Sequence, residues 1–441
     1  ALIVTSFLSV WLLKSPEIAA RVVGAAANDS IRDYLFGVVP LFVLMGMFVS
    51  VSGVGRDTFD VFQWLLRRLR GGLGLATVGA NAVFAAITGI SIASAAVFTK
   101  VAVPEMLRFG FTPRFATGVV AGSSVLGMLI PPSLLMILYG FLANQSVGDL
   151  FTAGIVPGLL LASAFAIGIV LAAYFKPSMV YAGGEMPVPD GEDMSPLTMA
   201  GKLVPIVLMI GGVLGGLYGG LFTATEAGAV GAALALLIAV LRRKLTARTF
   251  WEVLTETGHV TVAVSFLIIC ASIYTRMLAM SGMPQFLMEL IGQAGFGPFA
   301  FMLVYVAIVI LLGTVIDSSS ILLIVLPLML PIAEQFGMNL IWFGVVTVVA
   351  VEIGLLTPPF GLSAYVVKSS LNDPRISLGD IFRGTAPFTL IMVGVLLLLM
   401  AFPEPSPGME LAMDSLSGFL QLFSTVVLYR LFMLLEGEAS T

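Results

Sequence analysis

One pattern, used twice, constrains this chain more than any other feature. The first copy has Pro104, Phe109 and Gly110, then Gly127, Pro131 and Pro132. The second has Pro331, Phe336 and Gly337, then Gly354, Pro358 and Pro359. Each residue of the second copy follows its counterpart by 227 positions, and the pairs Ser91/Ser318 and Phe115/Trp342 keep that offset. Each copy contains a long apolar segment broken by Gly-x-x-x-Pro-Pro. Before each break lies an apolar stretch with small polar residues in its middle, at 88–94 (TGISIAS) and 317–320 (DSSS).

Proline donates no intrahelical hydrogen bond, clashes with the turn before it, and pushes the preceding residue out of the helical region. Gly-x-x-x-Pro-Pro should therefore open a helix and leave backbone carbonyls without partners. At membrane depth that is tolerated only where protein or a water-filled cavity satisfies them. Packing kinks are the plain alternative, since Gly and Pro are common in membrane helices. Two interruptions at corresponding places in two halves point instead to the binding site of a transporter.

Membrane depth is the right setting. Of the 441 residues 59% are hydrophobic and 10% charged, and mean hydropathy is +1.08. Apolar runs near twenty residues recur, as in a polytopic helical membrane protein. A net charge of −4 gives no reason to expect nucleic acid. The single cysteine, Cys270, excludes an internal disulfide. The single histidine, His259, argues against histidine metal clusters and Ser–His triads and reads as interfacial. The start lacks a basic n-region, so no cleavable signal peptide is expected.

Residues 1–13 read as the end of a first span and 34–53 as the next, with Pro40 as a kink and Gly46 allowing close helix contact. In 57–70 (DTFDVFQWLLRRLR) the apolar residues keep helical spacing, so this is an interfacial amphipathic arm. Trp64 and Arg67, Arg68 and Arg70 suit a headgroup position. Residues 72–103 form the first hairpin, 113–142 the first broken helix and 148–175 a span. The loop 177–200 separates the halves and holds the acidic run 190–193. Spans at 202–221, 222–241 and 258–281 follow, then a short arm at 283–296. The second hairpin is 298–332, the second broken helix 339–368, and a last span 385–402. Composition changes after Pro403, and the apolar stretch 418–435 is left without a role.

In domain terms, 1–71 holds scaffold helices and a cytoplasmic arm, and 72–142 the first half of the transport domain. Residues 143–297 form further scaffold with the inter-repeat loop and second arm. Residues 298–369 are the second half of the transport domain, 370–403 the last scaffold span, and 404–441 an atypical tail. If residue 1 ends a cytoplasmic-to-outside span, 16 of the 21 Lys and Arg fall on the cytoplasmic side, as the positive-inside rule requires. The first hairpin then enters from the cytoplasm and the second from outside, so the copies are inverted repeats. The expected fold is an all-α polytopic membrane protein with two re-entrant hairpins and two broken helices.

The polar groups around the breaks are hydroxyls, carbonyls and one carboxylate. They are Thr88, Ser91, Ser94, Ser123, Ser124 and Ser133 near the first, and Thr314, Asp317, Ser318, Ser319, Ser320 and Thr357 near the second. Such oxygens suit a small hard cation. Asp317 reads either as a functional intramembrane carboxylate or as an N-cap, and the two are compatible. Glu352 and Glu226 could hold a cation or proton, or be buried hydrogen-bonded structural carboxylates. No Arg or Lys lies in the breaks, so an anionic substrate would rest on hydroxyls, amides and helix N-termini.

Four segments closely resemble the large membrane subunit of TRAP (tripartite ATP-independent periplasmic) transporters: 87–106, 121–140, 317–337 and 351–368. Residues 41–46 (LFVLMG) and 220–230 (GLFTATEAGAV) fit too, and the likeness runs from about 34 to 403. The resemblance implies a multi-pass protein of the bacterial or archaeal inner membrane. It implies a sodium-driven, elevator-type secondary transporter and no enzyme. The implied partners are a small four-helix membrane subunit and a periplasmic substrate-binding protein that delivers an organic acid, such as a C4-dicarboxylate or sialic acid. One sodium site would comprise Thr88, Gly89, Ser91, Gly127, Ile130 and Pro132. The other would comprise Gly313, Asp317, Gly354, Thr357 and Pro359. Substrate would lie near Ser91, Ser94, Pro131, Ser318 and Pro358. Ile90 departs from the family, which often has a small serine there, and the tail after 403 runs past the family's usual end. A stand-alone sodium/anion symporter is the nearest rival. An intramembrane enzyme using Asp317 or Glu352, and a structural scaffold, are less well supported.

Overall fold

The computed structural model describes residues 2–32, 37–184, 194–293, 295–371 and 373–402. The acidic run 190–193, the start of the span at 34–53 and the tail from Pro403 lie outside them. Apart from one isolated bridge between Phe111 and Tyr181, every described element is helical. The first half contains α1 (Leu2–Leu13), α2 (Pro16–Arg32), α3 (Val38–Ser52), α4 (Val54–Leu66), α5 (Gly72–Thr88), α6 (Ser91–Arg108), α7 (Pro113–Ser124), α8 (Leu126–Leu129), α9 (Leu134–Ala143), α10 (Val147–Phe175) and α11 (Pro177–Val180). The second contains α12 (Pro196–Ile210), a π-helical turn at Gly211–Gly215, α13 (Gly216–Tyr218), α14 (Ala224–Leu241), α15 (Ala247–Ser281), α16 (Met283–Gln293), α17 (Pro298–Gly313), α18 (Ser318–Gln335), α19 (Leu340–Leu356), α20 (Leu362–Leu371) and α21 (Leu378–Ala401). Six of these helices are long and apolar enough to cross a membrane, or eight if each bent pair counts as one span.

Local chemistry explains the boundaries, and it repeats with the sequence. Gly110 and Gly337 both take left-handed backbone, at φ +74° and +66°, and end the second arm of each hairpin. Such a conformation is open to glycine at little cost. Two residues later Thr112 and Asn339 cap α7 and α19. Thr112 Oγ1 accepts from the Phe115 N–H at 3.2 Å, and Asn339 Oδ1 from the Trp342 N–H at 3.2 Å. Hairpin and broken helix are thus joined alike in both halves. The α3–α4 pair bends by 61°, which turns the arm out of the line of its span.

The two copies interlock. Each hairpin clasps the first part of its own broken helix, α5 and α6 on α7, α17 and α18 on α19. Each also packs on the part beyond the other copy's break: α6 on α20, and α18 on α9. Tyr139 on α9 seals the crossing, donating to the Leu340 carbonyl at 2.6 Å with its ring against Gly344 of α19. A second layer is built from α3, α14 and α15, with α1 and α2 on α15.

Two features differ from the sequence reading. Residues 16–32, left unassigned between two spans by the sequence reading, form α2 on α15. Trp64 is buried against Val61 and Met199 rather than placed at a lipid headgroup, because α4 packs onto α5 and α12. The helices α10 and α21 pack against the crossing: α10 on α5, α8, α9 and α19, and α21 on α7 and α19. Glycine makes the last contact possible. A Cβ on Gly118 would lie 2.2 Å from the Gly384 carbonyl oxygen, and one on Gly384 2.0 Å from that of Arg114. Arg114 Nε also pairs with Asp380 at 2.8 Å.

Candidate functional site

The first hairpin turns at Gly89, φ +66°, and Ile90. A Cβ on Gly89 would stand 2.4 Å from the Pro132 carbonyl oxygen, so only glycine lets the tip meet the first break this closely. The Leu134 N–H donates to the Gly89 carbonyl at 3.1 Å and fastens tip to break. Gly127 faces the same tip, 3.1 Å from Ser91 backbone by its ideal Cβ position. Thr88, Gly89, Ser91, Gly127, Ile130 and Pro132 are therefore brought together. All are buried. The Thr88 carbonyl also abuts Gly46 of α3, the close contact that Gly46 was expected to allow. The chain opens at Ile130–Ser133, three residues past Gly127, and Ser133 Oγ caps α9 by accepting from the Met136 N–H at 3.2 Å.

The second hairpin meets its break in another way. A Cβ on Gly354 would lie 2.5 Å from the Gly313 Cα, so two helix backbones touch there. The Phe360 N–H donates to the Thr314 carbonyl at 3.1 Å. Gly313 and Gly354 are thus together, and Thr357 and Pro359 follow in the opened chain. Thr357 Oγ1 donates back to the Ile353 carbonyl at 2.7 Å. Asp317 is exposed and caps α18: its carboxylate accepts from the Ser320 N–H at 3.1 Å and the Ser320 hydroxyl at 2.6 Å. The capping role read from Asp-Ser-Ser-Ser is present. Pro131 and Pro358 mark the two breaks, the first buried and the second exposed. Each Pro–Pro bond is cis.

Side chains around the first tip form a hydrogen-bonded network. Ser94 donates to Asn81 Oδ1 at 2.5 Å, Asn81 Nδ2 donates to Ser123 Oγ at 2.6 Å, and Ser123 donates to the Val119 carbonyl at 2.7 Å. All three are fully buried. Ser94, expected near substrate, ties α5, α6 and α7 together through Asn81. Sequence reading passed over Asn81, although a lone amide in an apolar hairpin arm was a usable signal, since buried amides must find partners. Ser363 Oγ is buried with no hydrogen-bond partner, and Glu352 is buried beside the Ser91 side chain. Glu226 is hydrogen-bonded in a capping box with Thr223 at the start of α14, but it is exposed, not buried. His259 is exposed, 3.9 Å from Glu256.

These donors fit a small hard cation. The first tip offers backbone carbonyls and a hydroxyl, the ligand types that sodium takes. Among the described residues no three His, Cys, Asp or Glu converge. An anion would meet the N-terminal ends of α6 and α18, where the first N–H groups of each helix are free of intrahelical partners.

Known proteins agree with this arrangement. By fold the chain resembles the YdaH transporter of Alcanivorax borkumensis, with a TM-score of 0.59, 14% identity and coverage of 87% and 88% of the two chains. It also resembles MtrF of Neisseria gonorrhoeae, with a TM-score of 0.60, 11% identity and coverage of 88% and 85%. By sequence it is 33% identical to the C4-dicarboxylate TRAP transporter large permease DctM of Pseudomonas aeruginosa over 90% of both chains. It is 30% identical to the sialic acid TRAP transporter large permease SiaM of Vibrio cholerae, over 85% and 86%. The family described as tripartite ATP-independent periplasmic transporter, DctM component, matches residues 1–405. This chain belongs to that family, as a multi-pass large permease subunit of the bacterial inner membrane.

Proposed function

We propose that the chain is the large permease of a sodium-coupled, binding-protein-dependent importer of an organic acid. The observation that carries this reading is the interlock of two hairpin tips with two opened helices. Such interruptions at membrane depth place free backbone groups where a solute can reach them. Sodium, when bound, would supply positive charge between the tips, where the chain has no Lys or Arg. The residues that would hold it are Thr88, Gly89, Ser91, Gly127, Ile130 and Pro132 in the first half. In the second they are Gly313, Asp317, Gly354, Thr357 and Pro359. Ser91, Ser318, Pro131 and Pro358 border the space left for a substrate carboxylate, with the N-termini of α6 and α18 facing it.

In this reading the hairpins, the broken helices, α10 and α21 move as one body against the layer of α3, α14 and α15. A small four-helix membrane subunit would stand on the exposed apolar faces of that layer, and a periplasmic binding protein would choose the acid. The relatives named for C4-dicarboxylates and sialic acid support a carboxylate cargo without fixing which one. The test is uptake by the chain reconstituted with its small subunit, with and without sodium and binding protein. Uptake that needs both supports the reading. Uptake that needs sodium alone moves the chain to the stand-alone symporters.

A further inference from the structure

The turn between α4 and α5 carries three exposed residues in a row, Arg68, Leu69 and Arg70. It is pinned from behind. The Gly71 N–H donates to the Tyr181 hydroxyl at 2.6 Å, and a Cβ on Gly71 would lie 2.8 Å from the Ile169 side chain of α10. The turn therefore rests on the last part of α10. There the Arg70 guanidinium lies over the Tyr174 ring, 4.7 Å from its centre. Tyr174 is 57% exposed, so this pair is a surface feature, and the exposed Lys176 follows two residues later. Other basic residues on the same side of the membrane are spent on carboxylates: Arg114 on Asp380, Lys202 on Asp60 and Arg242 on Asp57. Among the described residues Arg68, Arg70 and Lys176 form no ion pair. The adjoining face of α10 is apolar and exposed. Ile167, Leu171 and Tyr174 share it by helical spacing, and α10 is long and apolar enough to cross a membrane. A lipid-facing track thus ends at an arginine laid on a ring. Such a ring holds the guanidinium in place, and the fork of N–H groups matches a phosphate.

We propose that the α4–α5 turn and the end of α10 bind the headgroup phosphate of an anionic phospholipid in the cytoplasmic leaflet. Arg70, held by Tyr174, is the main ligand. Arg68 and Lys176 add positive charge, and an acyl chain follows Leu171 and Ile167 along α10. The count of Lys and Arg assigns this end of α10 to the cytoplasm, where the leaflet surface is negative. The turn opens α5, the first arm of the first hairpin, so the bound lipid ties the base of that hairpin to the membrane surface.

The test is thermal unfolding of the full chain, purified with its small subunit in neutral detergent. It is titrated with phosphatidylglycerol, or with phosphatidylcholine of the same acyl chains. Phosphatidylglycerol should raise the unfolding temperature and phosphatidylcholine should not. Arg70→Gln should weaken the phosphatidylglycerol midpoint by roughly tenfold. Tyr174→Leu changes no charge and should still weaken it severalfold, because the guanidinium loses its ring. Arg243→Gln removes the same charge at the end of α14, where the arginine is exposed and stacks on no ring among the described residues. It should leave the midpoint within about twofold of wild type, since charges beyond a screening length contribute little. A wild type indifferent to phosphatidylglycerol overturns the proposal. So does an equal loss in Arg243→Gln, which would show general surface attraction, or a wild-type midpoint in Tyr174→Leu. An Arg70→Gln protein already less stable than wild type in phosphatidylcholine would make Arg70 a structural residue and overturn it too. Sodium phosphate that stabilises wild type as well as phosphatidylglycerol does would make the ligand a free anion, against the lipid.

Discussion

The two breaks have the same sequence pattern and very different surroundings. Around the first, residues 126–133 are all buried. Around the second, Pro358, Pro359 and Phe360 are exposed, Phe360 at 52%. The first tip is backed by the Asn81–Ser94–Ser123 network, whereas the equivalent positions 227 residues later hold Ile308, Ile321 and Ala350. The first break closes on a capped Ser133 and the second on Gly361 at φ +53°. Gly-x-x-x-Pro-Pro thus sets where a helix opens. What covers the opening, and which charges reach it, is set by packing from the other half. The first half is a rigid, polar-braced seat. The second is a more open lip with its own exposed carboxylate.

The strongest test of this contrast is steric. Leucine at Gly354 should remove uptake altogether, since even its Cβ meets the Gly313 backbone at 2.5 Å and neither helix can yield. Leucine at Gly127 should do the same. Alanine separates them: Gly127→Ala, at 3.1 Å from Ser91 backbone, should keep measurable uptake where Gly354→Ala does not. Equal loss in both alanine variants would erase the difference.

Gly89→Ala comes next. It needs left-handed backbone and puts a Cβ against the Pro132 oxygen, so the first tip should be destabilised by about 2–5 kcal/mol. Uptake should fall with it, while the fold of the second half remains, as read by protease resistance around α19. Asn81→Ala should cost about 1–3 kcal/mol by orphaning buried hydroxyls, seen as a lower unfolding temperature. The matching change Ile308→Ala on the second hairpin, which breaks no polar network, should cost less. A larger loss at Ile308 would show that the first half is not the braced one.

Asp317→Ala removes a cap worth about 1 kcal/mol and should weaken the sodium dependence of uptake while leaving the protein folded. Sodium activation equal to wild type would take Asp317 out of the site. The smallest effect is expected at Asp373, in the turn before α21, whose carboxyl Arg375 holds down at about 2. A depressed acid stabilises above its unfolded value, about 3.9, and loses that contribution only as pH falls toward 2. Asp373→Asn should therefore leave uptake unchanged from pH 5 to 8, as a pH profile of transport would show.

Much of this was legible beforehand because the signals are local. Proline and glycine placed the breaks, and the 227-residue offset paired them. Hydropathy found the spans, and Asp-Ser-Ser-Ser announced a cap. The parts that were missed depend on contacts between distant segments. Residues 16–32 are small and only weakly apolar, and become helical by lying on α15. The packing of α10 and α21 against the crossing rests on the Gly118–Gly384 approach, which no periodicity reports. Ser94 was grouped with the substrate contacts through the family resemblance, and only the fold shows its hydroxyl turned to Asn81. Glu352 was visible as a carboxylate in an apolar helix, but its burial beside Ser91 of the other repeat is a fact of three dimensions.

The central claim is that one solute site, charged by sodium, lies where the two repeats cross. The most direct measurement is sodium-driven uptake of C4-dicarboxylates and sialic acid in liposomes containing the chain and its small subunit, with and without the binding protein. The account predicts uptake of one acid only when an inward sodium gradient and the binding protein are both present. Uptake that persists at full rate without sodium would contradict it.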